Sequence, residues 1–263
     1  MKRSVRNRLG DLLLEAFDRP EKRAAIAWLA IFCELAAGRR RPEVPIDELL
    51  AFPRAVLSEM DGTVDAALEN LIGPDKLLRL RRADTGEIHS TGMPRAVEGV
   101  PWMVEIEPDA GAAFAAVRER VNKYAGLMAR LGDRTPAGSS DPLTRVMAEA
   151  AMCFNAGLFF EAHEHLEHHW AVQAKGATKK FLQGIIQISV GFHHAHAGNY
   201  DGAVNQLAKG LEKVAGARGK VLGLDCDEFL PSVAAARETI VRRGRDGMQP
   251  VALSEIPRMH VEE

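Results

Sequence analysis

The chain has 263 residues, of which 46% are hydrophobic and 27% are charged, and its formal net charge is −2. This length suits one large or two modest domains, and this composition is typical of a globular protein rather than a disordered one. The near-neutral balance excludes a surface basic enough to coat nucleic acid, so any such binding must be local. No stretch has the roughly 18 uninterrupted apolar residues of a membrane helix, so we expect a cytoplasmic protein without a membrane partner.

The three cysteines, Cys33, Cys153 and Cys226, are far apart in the chain. No short spacing links them, so neither a disulfide framework nor a CxxC metal site is indicated. We expect all three to be small buried hydrophobic residues.

The N-terminal 132 residues predict several helices followed by a short hairpin. Apolar residues recur at helical spacing before Gly38, which is typical of a helix end. An Asp84-Thr-Gly86 sequence predicts the turn of the hairpin. The predicted elements, in chain order, are helices at 21–38, 44–50 and 63–71, a hairpin at 77–91, a strand at 100–107 and a long amphipathic helix at 109–131.

Over residues 20–95 this order of elements resembles winged helix-turn-helix domains, which implies DNA as a partner. Residues 63–71 would then form the recognition helix, yet its outward positions include Asp65 and Glu69, which repel phosphate. The positive charge of residues 20–95 comes from arginines outside this helix, but a run of charged residues usually forms a solvated face. We therefore expect DNA binding to be disfavoured. The basic residues in question are Arg39, Arg40, Arg41, Arg79, Arg81 and Arg82.

Residues 133–142 break the pattern, because they are rich in turn-forming residues and lack apolar periodicity. We expect this segment to be a linker between the winged-helix-like α+β domain, residues 1–132, and a helical domain, residues 143–243. Residues 244–263 contain two prolines and little apolar pattern, so they predict a flexible tail.

The helical domain contains a repeated pattern, Gly-x-aromatic-x-x-Ala, which begins at Gly157 and again at Gly198. The pattern marks a corner between two helices, because glycine ends one helix with a positive φ and alanine lets the next helix approach closely. Helical hairpins of the tetratricopeptide type use similar residues. Two copies predict a closed all-α bundle rather than an open array, and hence a mainly α protein.

Seven of the nine histidines lie between His163 and His196. A helical projection places His163 and Glu167 on one apolar stripe with Leu166 and Trp170. These two polar residues are one turn apart, and a buried glutamate requires a partner or a function. The same projection places the remaining polar residues toward the opposite face. These are Glu161, Glu164, His165, His168 and His169.

Residues 181–198 are apolar nearly all round, which predicts a central helix. Its few polar side chains, Gln183, Gln187 and His194, form a separate stripe beside two glycines that allow another helix to come close. The simplest assembly brings His163 and Glu167 against Gln187 and His194 in one buried polar site.

From residue 141 to residue 214 the chain resembles the family called domain of unknown function 309. That resemblance implies a small all-helical fold, and since the family has no settled activity it implies the position of a site more than its chemistry. Within the histidine-rich segment, the motif positions that the resemblance assigns to the site are Glu161, His163, Glu164, Glu167 and Trp170. The resemblance rests on Asn155-x-Gly157-x-Phe159-Phe-Glu161-x-His163-Glu164-x-Leu166-Glu167-x-x-Trp170, Gln183-Gly-x-Ile186-Gln187, Phe192-His-His194, Gly198-Asn199 and Gly202-Ala203.

Several functions stay open at this point. An imidazole and a carboxylate one turn apart suit a divalent transition metal, with His163, Glu167 and His194 as ligands, although neither the His-Glu-x-x-His nor the Glu-x-x-His spacing is met. The site is equally suited to a small molecule, and a metal-dependent or acid–base enzyme would use His163 and Glu167 as its catalytic pair. A regulator would use the helical domain to sense an effector. Alternatively, these residues satisfy one another and fix the helix packing. The candidate ligand-binding residues are Glu161, Glu164, Trp170, Gln183, Gln187 and His194.

Overall fold

The structure, a computed structural model, describes residues 1–51, 68, 71–73, 76–89, 102–132, 141–173 and 175–262. The chain divides into two compact units, Met1–Asp133 and Arg134–Glu263. Helices dominate both units, so the prediction of a mainly α fold is confirmed. In the described part of the chain, no helix combines the length and the apolar character that crossing a membrane requires.

The first unit begins with two helices, α1 (Arg3–Asp18) and α2 (Pro20–Leu35). Helix α2 was predicted, and Gly38 has a φ of 77° shortly after its end. Helix α1 was not predicted, although Val5, Leu9 and Leu13 recur every four residues and are fully buried. The apolar face of α1 packs on α2, which explains why the helix forms despite its charged outer face.

Three short strands form an antiparallel sheet in the order β1-β3-β2. Val44 lies opposite Val104, which in turn lies opposite Leu80, and all three are buried on one face of the sheet. The predicted turn at Asp84-Thr-Gly86 is present, and Gly86 has a positive φ. However, β2 pairs mainly with β3 and not with the residues that follow the turn, as the hairpin prediction had expected. The elements are β1 (Glu43–Pro45), α3 (Ile46–Ala51), β2 (Leu78–Arg82), β3 (Trp102–Ile106), α4 (Pro108–Gly111) and α5 (Phe114–Gly132).

The arginines of β2 are paired with acidic side chains of the same unit. Glu105 on β3 contacts two of these arginines, so much of their charge is offset locally, which disfavours phosphate binding by this strand. The predicted recognition helix at 63–71 lies almost entirely outside the described residues, so the winged-helix resemblance stays a prediction. The ion pairs are Arg79–Glu105 (2.7 Å), Arg81–Glu105 (3.1 Å), Arg81–Glu43 (2.6 Å) and Arg82–Asp84 (2.7 Å).

The second unit is a bundle in which each helix packs on the next one along the chain. Asp141 caps the first helix, since its carboxylate accepts hydrogen bonds from two backbone N–H groups of the opening turn. Short connections between the first four helices make consecutive helices antiparallel neighbours. The elements are α6 (Pro142–Asn155), α7 (Phe159–Val172), α8 (Ala177–His196), α9 (Tyr200–Val214), the hairpin β4 (Lys220–Val221) and β5 (Leu224–Asp225), and α10 (Cys226–Arg243).

The two glycine corners are confirmed. Gly157 and Gly198 have φ angles of 75° and 72°, and both corner alanines, Ala162 and Ala203, are fully buried. Helices α8 and α9 approach so closely that a Cβ atom at Gly191 would lie 2.7 Å from the Leu207 side chain. A glycine on α8 therefore allows the close approach of α9.

Four phenylalanines form the centre of this unit. The ring of Phe154 on α6 meets the edges or faces of Phe159, Phe192 and Phe229 at centroid distances of 5.0, 5.7 and 5.9 Å. Since these rings come from α6, α7, α8 and α10, one aromatic cluster joins four helices.

Most residues from 244 to 250 are exposed, but three apolar side chains within residues 251–262 are buried, which the prediction of a loosely held tail does not include. Val251, Ile256 and Met259 are 4%, 6% and 3% exposed. Their spacings of five and three residues match neither a helix nor a strand, so no periodic pattern shows in the sequence.

Candidate functional site

Helix α7 carries most of the motif residues, and the structure divides them between two faces. Glu161 and His165 are buried at 0% and 6% exposure. The side chain of His163 is 15% exposed, and that of Glu167 is 53% exposed. The prediction that His163 and Glu167 share a buried stripe while Glu161 and His165 face outward is therefore wrong for both glutamates and for His165.

The position of α7 in the bundle explains this difference. Helix α7 packs on α6 along one side and on α8 along another. A single-stripe projection assumes that only one face is buried, so it assigns the second buried face to solvent.

A buried polar network lies between α6 and α7. Glu149 is 7% exposed, and its Oε2 lies 2.7 Å from His165 Nε2. Burial, and next the carboxylates of Glu161 and Glu149, raise the pKa of the Cys153 thiol well above its usual value. The four side chains therefore share one interior region, and sequence reasoning missed the contribution of Glu149.

A signal for Glu149 was present in the sequence. The corner at Gly157 folds α6 and α7 back on each other, so residues equally distant from it lie at the same level. Glu149 and His165 are each eight positions from Gly157, and Cys153 and Glu161 are each four positions from it. A glutamate within the apolar stretch of α6 is thus matched by a histidine on α7.

A second cluster lies on the outer flank of α7. His163 Nε2 is 3.0 Å from Glu164 Oε1 and 3.9 Å from Glu167 Oε2. One donor atom from each residue falls within 4.8 Å of the others, a grouping found nowhere else among the described histidine, cysteine, aspartate and glutamate residues. The Phe160 ring meets the His163 ring edge-on at 5.0 Å and limits its rotation.

His194 belongs to the corner between α8 and α9. Its Nδ1 lies 3.2 Å from Asn199 Nδ2, and a Cβ atom at Gly202 would lie 2.5 Å from its ring. Within the described part of the chain, His194 does not join the donor group of His163 and Glu167. The group of converging donor atoms therefore contains Glu164 and not His194, which differs from the set predicted from the sequence.

The remaining motif residues are half-buried on α7 and α8. Gln183 and Gln187 lie along α8, and the Oε1 atom of Gln187 is buried without a hydrogen-bond partner among the described residues. The same holds for Nε1 of Trp170, whose ring lies 4.7 Å from Lys179 Nζ. Burying unsatisfied polar atoms is costly, so both atoms require a partner that the described residues do not supply.

Comparison with known proteins places this helical unit in a wider context. An uncharacterized protein of Aquifex aeolicus (strain VF5) is 27% identical over 96 residues, which are 35% of this chain and 29% of that protein. The chain thus spans less than a third of the length of this relative. Residues 147–206 match the family described as Domain of unknown function (DUF309). The helical unit is therefore similar to the DUF309 family from within α6 into α9, as its motif predicted.

Proposed function

We propose that the helical unit binds a divalent transition-metal ion on the outer flank of α7, with His163, Glu164 and Glu167 as ligands. The observation that carries this proposal is the convergence of their three donor atoms within 4.8 Å. All three residues also lie within residues 147–206, the range that matches the family model.

The distances suit a single ion. Ligand bonds of about 2.1 Å in a tetrahedral site separate the donor atoms by about 3.4 Å. The separations from His163 Nε2, 3.0 Å to Glu164 and 3.9 Å to Glu167, bracket that value. Small side-chain rotations would therefore complete the geometry.

The donor set favours particular metals. One imidazole nitrogen and two carboxylate oxygens suit Zn²⁺, Mn²⁺ or Fe²⁺, whereas Ca²⁺ and Mg²⁺ prefer sites made of oxygen alone. Three protein ligands leave a coordination position for water or a small molecule. Because the glutamate side chains are 43% and 53% exposed, such a molecule reaches the site from solvent.

The test uses untagged full-length protein that has never contacted a metal resin. We expect calorimetric titration with Zn²⁺ and with Mn²⁺ to give one equivalent of a preferred ion, and His163→Ala to abolish that binding. His168→Ala is the matched control, since His168 is an exposed histidine of the same helix. Its binding isotherm should match that of the wild type.

Two results would contradict the proposal. The first is the absence of binding by either ion to the folded protein. The second is binding that survives His163→Ala and disappears in the double variant His168→Ala/His169→Ala, because histidines on any exposed helix face can hold an ion adventitiously.

A further inference from the structure

Helix α8 is buried on every side except one. Between Phe181 and Ala195 all residues are buried apart from five, which are half-buried. Steps of three or four residues place these five on one side of the helix. Four of them are polar, although most of the helix around them is apolar. They are called the α8 stripe below and are Gln183, Gln187, Val190, His193 and His194.

Helices α7 and α9 border the α8 stripe on its two sides. On one side, the centre of the Phe160 ring of α7 lies 6.4 Å from the centre of the His193 ring. On the other side, the His194 ring packs against Gly202 of α9, where a Cβ atom would lie 2.5 Å from it. The α8 stripe is therefore the floor of a groove that has α7 and α9 as its walls.

The proposed metal site lies along the α7 wall of this groove. Contacts between α7 and α8 are present at both ends of this wall, where Phe160 meets His193 and where Lys179 Nζ lies 4.7 Å from the Trp170 ring. The proposed metal ligands lie between these contacts on α7, and the two glutamines of the α8 stripe lie between them on α8. The metal ligands and the glutamines therefore line the same stretch of the groove.

Gln187, in the floor of the groove, has an unpaired acceptor. Its Oε1 atom is buried and has no hydrogen-bond partner among the described residues. An amide oxygen only accepts hydrogen bonds, so the missing partner is an N–H or O–H group. Leaving a buried acceptor unpaired is unfavourable, and a donor on a molecule bound in the groove would remove that cost.

The α9 wall of the groove is basic. Gln206, Lys209 and Lys213 follow Gly202 at steps of four, three and four residues, so they share one side of α9. A Cβ atom at Gly184 of α8 would lie 3.2 Å from the Cβ atom of Lys213, which places the stem of this lysine beside α8. The two ammonium groups on this wall attract an anion.

We propose that this groove binds a small organic acid that carries a hydroxyl or amino group beside its carboxylate. The proposal rests on the metal site proposed above, because a carboxylate oxygen of the ligand takes the open coordination position of the metal. The neighbouring hydroxyl or amino group donates a hydrogen bond to Gln187 Oε1. Lys209 and Lys213 offset the remaining negative charge of the acid.

Two acids that differ by a single hydroxyl group, L-malate and succinate, test the site. Each is titrated calorimetrically into full-length protein loaded with the metal ion that it binds. We expect saturable binding of L-malate and about tenfold weaker binding of succinate, because succinate lacks the donor for Gln187. That factor corresponds to about 1.4 kcal/mol, a typical value for one hydrogen bond.

The variant Gln187→Leu tests the assigned acceptor. It should weaken L-malate binding about tenfold and remove the preference over succinate, while its metal titration stays unchanged. The matched control is Gln249→Leu, because Gln249 is an exposed glutamine outside α7, α8 and α9. This control should bind both acids as the wild type does.

Thermal denaturation distinguishes a binding role of Gln187 from a structural one. Because no described residue pairs with its Oε1 atom, Gln187→Leu removes an unsatisfied polar group and should melt at the same or a higher temperature than the wild type. A lower melting temperature would overturn the proposal, since the amide would then have a partner within the chain.

The titrations also separate this proposal from that of the metal site. Metal binding without L-malate binding would overturn the ligand assignment and leave the metal site intact, and so would equal L-malate affinities of the wild type and Gln187→Leu. L-Malate binding that depends on Gln187 in a chain that binds no metal would support the groove and contradict the metal site. If Gln187→Leu does not fold, the comparison of L-malate with succinate on the wild-type chain decides.

Discussion

The carboxylate of Glu149 contacts the imidazole of His165 inside the helical bundle, with 2.7 Å between Oε2 and Nε2. The contact joins α6 and α7 at a level set by the corner at Gly157. A buried polar pair of this kind specifies which helices meet, even where its net contribution to stability is small.

Glu149→Ala should lower the free energy of unfolding by about 1–3 kcal/mol, because His165 loses this buried partner. Urea denaturation followed by circular dichroism measures the change. Glu149→Gln keeps a hydrogen-bonding group and should cost less. An unchanged midpoint for Glu149→Ala would show that the pair does not contribute.

Substitution of the two α7 glutamates that were predicted on the wrong faces should change the free energy of unfolding by different amounts. Glu167 is largely exposed, so Glu167→Ala should change the free energy of unfolding by less than about 0.5 kcal/mol. Glu161 is fully buried, so Glu161→Ala should cost about 1–3 kcal/mol. Urea denaturation of the two variants compares them directly. A larger loss for Glu167→Ala would contradict the burial pattern.

Local chemistry made part of the fold predictable. A glycine that ends a helix and an alanine that allows close contact act over four or five residues, so the corners at Gly157 and Gly198 could be identified from the sequence. The consecutive packing of the helices follows from those corners. His163 and Glu167 could likewise be paired, because they are one helical turn apart.

Contacts between distant residues made the rest unpredictable. The buried face of α7 depends on having α6 on one side and α8 on another, which a projection of one helix does not contain. The position of residues 244–262 depends on contacts such as that of Asn155 with Met259, which are 104 residues apart. The sequence assigned His194 to the site because it shares a stripe with Gln187. In the structure, the His194 ring instead packs against Gly202 at the corner between α8 and α9.

Two glycine substitutions in different helices should change the free energy of unfolding in opposite directions. A Cβ atom at Gly191 would lie 2.7 Å from the Leu207 side chain and 3.0 Å from its backbone nitrogen, so Gly191→Ala should cost about 1–3 kcal/mol. Gly126, within α5, has nothing within 4 Å of that position, so Gly126→Ala should add about 0.5–1 kcal/mol through helix propensity. Denaturation curves that shift in the same direction for both variants would contradict this prediction.

Burial of Cys33 predicts a loss of stability at alkaline pH. Burial raises the pKa of its thiol from 9.0 to about 12. Above pH 9 the unfolded chain releases this proton and the folded chain retains it, so the stabilisation present below pH 9 is lost progressively toward pH 12, by up to about 1.4 kcal/mol per pH unit. Free energies of unfolding measured between pH 8 and pH 10.5 should fall less steeply for Cys33→Ala than for the wild type. Identical slopes would show that the thiol is accessible in the folded state.

The β4–β5 hairpin contains a residue in an unfavourable conformation. Leu222 and Gly223 form its two-residue loop, with φ angles of 50° and 75°, and side chains larger than glycine are disfavoured in this left-handed region. Asparagine followed by glycine is the preferred pair for such a turn. Leu222→Asn should therefore raise the free energy of unfolding by about 0.5–1 kcal/mol, as urea denaturation would measure.

Gly223→Ala provides the contrast for that experiment. A Cβ atom at Gly223 would overlap the backbone oxygen of Glu262, so this variant should be destabilised and should also weaken the hydrogen bond from Glu262 N to Gly223 O. Leu222 is half-buried, so Leu222→Asn also removes some apolar contact. A lower stability for Leu222→Asn would mean that this contact outweighs the backbone strain, and the prediction would then be wrong.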